Sequence, residues 1–366
     1  MSGPPRLLVS GYYGLGNAGD EAILAGLLAG FRETAPQLDI VVLSGSPSAT
    51  QAEHGVAAVP RGPAAAYRHA RQCDLLVSGG GGLLQDVTSW RSPLYYLGVM
   101  NAARGAGKPV ACIGQGIGPL RRKLLRAAVR RVLSRVDVLA VRDAPSRDAL
   151  KDLGLARAIE VTADLAFLLP TPSPEEIAQA HRKCGLRPAS EPIAAIALRA
   201  SPGGGPGSEL ARALGAALDE ACRRIEHRPA LVPMHRPADV EFAQSVAGAM
   251  PSRPQLVSAA LSARELLALL CGCGLVVAMR LHALAFAAIG AVPMAAISYD
   301  PKVDALMGRL GLEAATSVRQ FEPEALARAI HTSWQARTQV SQQLRARVPE
   351  LRAAAARNID LACHLL

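Results

Sequence analysis

Three basic groups lie close together in the stretch 278–303, AMRLHALAFAAIGAVPMAAISYDPKV. Its pattern reads as a buried strand ending near Ala278, a turn bearing Arg280 and His282, an alanine-rich helix, a second strand over 292–297, and a loop ending in Lys302. Open parallel sheets bind ligands where their strands end, so the three side chains are expected along one rim. Arg280 and Lys302 are permanent cations, and the His282 imidazole can gain or lose a proton near neutral pH. Such a set suits a small, highly charged anion that must also undergo proton transfer. Plainer readings stand beside this one: His282 as a capping or packing residue, and Arg280 as the partner of a helix C-terminus or of Asp300.

The elements upstream repeat the arrangement. A strand over 7–10 runs into GYYGLGNAGDEAIL, where Gly11, Gly14, Gly16 and Gly19 form a turn, and Asp20 opens a helix reaching about Thr34. A strand, a glycine-rich loop and a helix N-terminus make a ready anion site. The glycine spacing matches neither a P-loop nor a dinucleotide fingerprint. Asn17 and Asp20 are candidate ligand residues, or else a left-handed turn residue and a helix N-cap. Strands over 40–43 and 73–77 follow, and the second feeds SGGGGLLQD, a glycine loop at Gly79 to Gly82 with Gln85 and Asp86 as hydroxyl-binding side chains. The alternative for Gly80, Gly81 and their neighbours is close packing of helix on sheet. A strand over 110–114 ends in a third glycine turn, GQGIGP.

Residues 119–134, PLRRKLLRAAVRRVLS, read as a basic amphipathic helix, either a solvated surface or one drawn to anionic lipid headgroups or a lipid-linked pyrophosphate. Arg142 leaves the next strand, 136–141, and such an Arg needs a partner: Asp143, Asp164, or a bound carboxylate or phosphate. Residues 168–192 turn to proline and polar types, marking a connection between domains. Strand and helix then alternate again, through the loop RASPGGGPGSEL and a strand end carrying His235 and Arg236, which line a cleft or a turn.

Alternation in both halves implies an α/β fold of two doubly wound, Rossmann-like domains facing each other across a cleft. The expected divisions are 1–170, 171–320 and a C-terminal helical segment 321–366. With 50% hydrophobic and 19% charged residues, the chain has ample material for two cores and no sign of disorder. A net charge of +10 favours an anionic partner. Aromatics at 4% and dispersed basic residues argue against nucleic acid. The seven cysteines show neither metal-ligand spacing nor a disulfide framework, which points to buried thiols, with a redox or metal role for Cys271 and Cys273 as the lesser reading. No stretch approaches the length of a membrane span, so a cytoplasmic protein is expected.

GNAGDEAIL, SGGGGLLQD, GQGIGP, VRDAPS, MRLHALAFAA and ISYDPKV, in this order, resemble the polysaccharide pyruvyl transferase family, and most closely its CsaB type. The resemblance runs from Gly11 to about Lys302. It implies a GT-B-like fold, phosphoenolpyruvate as donor, and a pyruvate ketal placed on a sugar. In the CsaB type the acceptor is a lipid-linked cell-wall disaccharide carrying N-acetylmannosamine, whose product helps anchor surface-layer proteins. The resemblance implies that Arg142, His282 and Lys302 engage the donor; the N-terminal domain is the expected acceptor side and the C-terminal domain the expected phosphoenolpyruvate side. Where the family commonly has a proline after the Asp, this chain has Leu165 and Ala166. Independently of the family, the carboxylate and phosphate of phosphoenolpyruvate call for about three positive groups, met by Arg142, Arg280 and Lys302. Protonation of the methylene carbon calls for an acid, met by His282. The acceptor residues are then Asn17, Asp20, Gly80, Gly81, Gln85 and Asp86. Neither cofactor nor metal is expected, and contact with the inner membrane face would be peripheral. The rivals are a nucleotide-sugar glycosyltransferase, with Glu265 or Asp239 on the ribose, and a non-catalytic glycan-binding protein.

Overall fold

Segments such as LLVS at 7–10 and IVVL at 40–43 are apolar at successive positions, as strands covered by helices on both faces must be. In the computed structural model, which describes residues 3–87, 89–187, 191–200 and 205–366, these runs form the centres of parallel sheets. Positions 201–204 of the glycine-rich loop expected at 199–210, and 188–190 of the connection expected at 168–192, lie outside the described residues.

Two units are distinguished: Met1–Leu169 with Glu350–Leu366, and Pro170–Pro349. The first unit runs β1 (Arg6–Tyr13), α1 (Ala18–Thr34), β2 (Asp39–Ser44), α2 (Pro47–His54), β3 (Ala57–Pro60), α3 (Pro63–Gln72), β4 (Leu75–Leu84), α4 (Arg91–Gly105), β5 (Val110–Ile117), α5 (Lys123–Leu133), β6 (Val138–Val141), α6 (Ala144–Asp152) and β7 (Glu160–Val161). The second runs α7 (Pro174–Lys183), β8 (Ile193–Ala197), α8 (Glu209–Arg224), β9 (Arg228–Leu231), α9 (Val240–Ala247), β10 (Gln255–Leu256), α10 (Ala263–Cys271), β11 (Leu275–Ala278), α11 (Leu281–Ile289), β12 (Met294–Ser298), α12 (Pro301–Arg309), β13 (Thr316–Ser317) and α13 (Pro323–Gln335). A final helix, α14 (Arg337–Cys363), begins in the second unit and ends in the first.

Both sheets are parallel, in the orders β3-β2-β1-β4-β5-β6-β7 and β10-β9-β8-β11-β12-β13. In each, the chain winds outward in one direction and then returns to the centre to wind in the other, the doubly wound order. The reversal falls between β1 and β4 in the first sheet and between β8 and β11 in the second. Alternation along the strands divides the first core: Leu8, Leu76 and Cys112 face α3, α4 and α5, whereas Leu7, Val9 and Val77 face α1. Ile359 and Ala362 of α14 join α1 on that second face.

Within the segment 321–366, α14 crosses the division between the units at Pro349. Its far end is held by polar bonds as well as packing. Fully buried Asn358 accepts from the Gly114 amide at 2.9 Å and the Thr162 hydroxyl at 2.8 Å. Arg352 donates to the carbonyls of Phe167 and Leu169.

The glycine stretches depart from expectation. Gly11 lies in β1, Gly79 to Gly82 in β4, and Gly114 and Gly116 in β5, so these are extended strand ends and not loops. Register shifts break the β4–β5 ladder between Gly81 and Leu84. Gly80 and Gly81 sit at φ +64° and +78°, a bulged conformation that other residues rarely adopt. Close packing is also required, since a Cβ on Gly80 would stand 2.3 Å from Ile23 of α1. Only Gly82 of the four faces open space.

Candidate functional site

The carboxyl edge of the second sheet collects the basic residues. Ala197, Ala278 and Ala296 are neighbours across β8, β11 and β12; β8 and β11 end at this level, and β12 runs on two residues to Ser298. Two residues beyond Ala197 comes Arg199; two beyond Ala278 comes Arg280; beyond β12 come Tyr299, Asp300 and Lys302. This rim flanks the β8–β11 reversal, where doubly wound sheets open a crevice.

Arg280 is the N-cap residue of α11, with φ −76° and ψ 119° and no side-chain cap bond, and half-buried His282 is the second residue of that helix. The helix start thus presents backbone amides and the positive end of its dipole beside two basic side chains. The Arg280 guanidinium pairs with Asp239, not with Asp300: Nε donates to Oδ2 at 2.9 Å, and Nη2 donates to Oδ1. Asp239, 1% exposed, also accepts the amides of Met234 and His235 at 3.2 and 2.9 Å, which fixes the turn after β9. Nη1 of Arg280 remains outside this pair.

Lys302, second in α12, places Nζ 3.7 Å from Asp300 Oδ2 and 5.2 Å from the centre of the Tyr299 ring. Asp300 caps the same helix through the Lys302 amide at 3.1 Å. Arg199 donates from Nη1 to the Tyr299 hydroxyl at 3.2 Å, its guanidinium carbon 4.7 Å from the ring centre. Burial acts to raise the Tyr299 phenol, but Lys302 and Arg199 outweigh it and bring it below its ordinary 10.0. An anion entering here would meet several positive groups, an imidazole and a phenol of lowered pKa.

The acceptor candidates and Arg142 lie in the first unit, around the β1–β4 reversal. Asn17 is the N-cap of α1 in an extended conformation, accepting from the Gly19 amide at 3.1 Å, so it is neither left-handed nor a simple turn residue. Asp20 is consequently not the cap. It lies in the first turn, bonded by the Asn17 amide, with Oδ1 against Gly81. Gln115 donates to the Gly81 carbonyl at 2.8 Å, and its own carbonyl accepts the Arg142 amide. Arg142, 7% exposed, is held by both suspected carboxylates, Asp143 at 3.1 Å and Asp164 at 3.2 Å. Burial works against its charge, but the two aspartates more than compensate and raise its pKa. Gln85 accepts the Val87 amide at 2.7 Å, and Asp86 accepts the amides of Arg121 and Arg122 at 2.8–2.9 Å, tying two loops together.

The structure thus gathers Asn17, Asp20, Gly80, Gly81 and Arg142 around one sheet edge, and Arg280, His282 and Lys302 around another. Sequence reasoning missed Arg199 and Tyr299, and it offered Asp239 for a ribose rather than as the partner of Arg280. The strand-end rule that selected Arg280 would have found the first two, whereas Asp239 meets Arg280 only through the fold. His235 and Arg236 follow β9, and Arg236 donates to the Val257 carbonyl just beyond β10.

Among the described residues, one grouping could hold a metal: Glu21, Glu53 and His54, with ligand atoms within 4.8 Å of one another. The His54–Glu21 separation of 3.7 Å is also that of an ion pair, and Glu21 accepts the Gly14 amide at 2.7 Å. Cys271 and Cys273 are kept protonated by burial, which raises both and takes Cys271 to about 12, unlike reactive thiols.

Solved structures similar to this chain share its architecture. Anabaena Alr3699/HepE in complex with UDP-glucose matches with a TM-score of 0.64 at 16% identity, over 98% of both chains. UDP-GlcNAc 2-epimerase from Neisseria meningitidis, bound to UDP-GlcNAc, matches at 0.63 and 10% identity over 98% of this chain and 99% of that one. S. aureus MnaA, in a co-structure with UDP, matches at 0.63 and 11% identity over 93% and 90%. At such identities the likeness establishes the fold, that of GT-B-like glycosyltransferases and epimerases. A comparison with curated proteins finds no match. The family pattern described as polysaccharide pyruvyl transferase matches residues 17–301, from the cap of α1 to the first residue of α12. The chain belongs to the polysaccharide pyruvyl transferase family.

Proposed function

We propose that the protein transfers pyruvyl from phosphoenolpyruvate to two hydroxyls of a saccharide, forming a ketal. The observation that carries this reading is the rim of Arg199, Arg280, His282 and Lys302 at the reversal point of the second sheet, inside a chain of this family. Lys302 and Nη1 of Arg280 meet the donor phosphate, and the α11 amides add their dipole. His282 handles the proton: the donor methylene gains one and becomes a methyl group. The central carbon forms two bonds to sugar oxygens, the phosphate ester bond breaks, and the second hydroxyl proton leaves with phosphate. The family resemblance assigns Arg142 to the donor, and its bidentate chemistry suits the donor carboxylate. Its Asp143 and Asp164 partners imply a held, preoriented guanidinium.

The acceptor we propose is a lipid-linked cell-wall saccharide bearing N-acetylmannosamine, as in the CsaB type, met by Asn17, Asp20, Gly80, Gly81, Gln85 and Asp86. No step in this scheme calls for a cofactor. Mass spectrometry of a synthetic lipid-linked disaccharide incubated with phosphoenolpyruvate tests the reading. A product bearing a pyruvate ketal, with matching phosphate release lost in His282→Ala and Lys302→Ala, supports it; absence of both in the wild type refutes it.

The nucleotide-sugar reading draws on the UDP complexes of the similar structures. Against it, the carboxylates available for a ribose are already engaged: Asp239 by Arg280, and Glu265 by Lys183 and the Ser262 amide. Saturable UDP binding without phosphoenolpyruvate binding would favour it. A purely glycan-binding protein would release no phosphate and would tolerate His282→Gln.

A further inference from the structure

The large hydrophobic side chains left exposed are unevenly distributed. Of the seven among the described residues, four are Val87, Trp90, Leu94 and Leu124, at 49%, 44%, 41% and 87% exposure. The first three belong to the β4–α4 connection and the start of α4, and Leu124 to the start of α5. Asp86 fastens these two regions together by accepting the Arg121 and Arg122 amides. Arg122 then reaches across to Trp90, with its guanidinium carbon 5.7 Å from the ring centre, and Arg91 flanks the same indole at 5.6 Å. The four apolar tips therefore belong to one surface of the first unit.

Leu124 is out of phase with its helix. The buried stripe of α5 is Leu125, Val129, Val132 and Leu133, and the exposed positions around Leu124 are Arg121, Arg122, Lys123, Arg130 and Arg131. A leucine nearly fully exposed in a basic field contributes nothing to the fold. We propose that this surface docks on an anionic lipid bilayer, with Trp90, Leu124, Val87 and Leu94 entering the headgroup region and Arg91, Arg121, Arg122 and Lys123 on lipid phosphates.

The arrangement favours a bilayer over a protein partner. A protein interface of this size would present a continuous apolar patch, whereas here separate apolar tips are interleaved with cations. An indole between guanidinium groups, apolar on its faces and polar at its edge, suits the interfacial zone. Four cations against the single carboxylate of Asp86 give the surface the sign that attracts anionic headgroups. No helix among the described residues is long and apolar enough to cross a membrane, so the contact is one of docking. The proposal needs no assumption about the donor. It fits the lipid-linked acceptor, because it sets the loop carrying Gln85 and Asp86 beside the bilayer.

Co-sedimentation with vesicles containing phosphatidylglycerol, compared with pure phosphatidylcholine, is the test. The protein is expected to bind the anionic vesicles, with binding weakened by salt. Arg121→Glu/Arg122→Glu should weaken it at least about tenfold. Leu124→Asp and Trp90→Ala should each weaken it several-fold with the charge pattern otherwise kept. In Trp334→Phe, which leaves Trp90 as the only indole, brominated lipid should quench the fluorescence. Equal binding to both vesicle types, or anionic binding unaffected by Leu124→Asp and unquenched at Trp90, overturns the proposal. Preferential capture by acidic polypeptide with no vesicle binding overturns it as well. Phosphate release on a water-soluble acceptor should survive Leu124→Asp, so failure of docking and failure of pyruvyl transfer are read separately.

Discussion

The Arg280–Asp239 pair offers a way to separate what holds the rim together from what it does. In Asp239→Leu, Arg280 loses both bonds of a largely buried ion pair, and the amides of Met234 and His235 lose their acceptor. Removing one partner of a buried pair costs about 3–5 kcal/mol. For a unit of about 180 residues, each kcal/mol corresponds to roughly 2–4 °C, so the second unit should melt about 6–20 °C lower. Arg280→Met should cost less, because Asp239 keeps its two backbone donors and can draw in water. The double variant Arg280→Met/Asp239→Leu should recover part of the loss, since paired replacement by apolar groups is often close to neutral. If Arg280 also meets the donor, the double variant is folded yet binds phosphoenolpyruvate at least about tenfold more weakly, as expected for a lost charge-assisted bond of about 1.5–3 kcal/mol. Urea titration gives the stabilities and calorimetry the donor affinity. A cycle with additive costs would refute the coupling, and undiminished donor binding in the double variant would remove Arg280 from the donor site.

The glycine run of β4 allows a paired comparison. Gly80→Ala meets both a positive φ and Ile23 at 2.3 Å and should destabilise by about 2–5 kcal/mol, while Gly82→Ala faces open space and should stay within about 0.5 kcal/mol in denaturant titration. His181 and His227 are 2% and 5% exposed, and burial lowers both from 6.5 in spite of bonds to backbone carbonyls that act the other way. The unfolded chain therefore takes up protons first, so stability should fall as pH drops below about 6.5, with a gentler fall in His227→Phe; a pH-independent urea midpoint between 7 and 5 would contradict this. Treatment with EDTA should leave phosphate release unchanged. A loss restored by zinc and abolished by His54→Ala would turn the Glu21, Glu53 and His54 grouping from an ion pair into a metal site.

Strand positions were legible because they are short apolar runs between turn signals, and β11 and β12 fall close to where the pattern puts them. Smaller elements such as α2 and β3 escaped, since PSATQAEH and AAVP carry little periodicity. Gly14 and Gly16 do form the expected turn, but the glycines of β4 and β5 were misread as loops, because composition reports freedom of φ but not whether a strand uses it to bulge and continue. The cap role offered for Asp20 as the alternative to a ligand role falls to Asn17, since Asn17 is an equally good acceptor and only backbone geometry chooses between them.

The sequence by itself determined the class of fold, the family pattern, and the fact that Arg280, His282 and Lys302 follow strand ends, because those are properties of local order along one strand-helix-strand unit. The tertiary structure decided the partners that the sequence left unnamed: Asp239 for Arg280, Arg199 for Tyr299, and Trp90 beside Arg122. Pairings such as Arg280–Asp239 and Arg199–Tyr299 span long stretches of sequence and arise because a parallel sheet brings successive strand ends to one level; no pattern of neighbours along the chain encodes which charges will then meet.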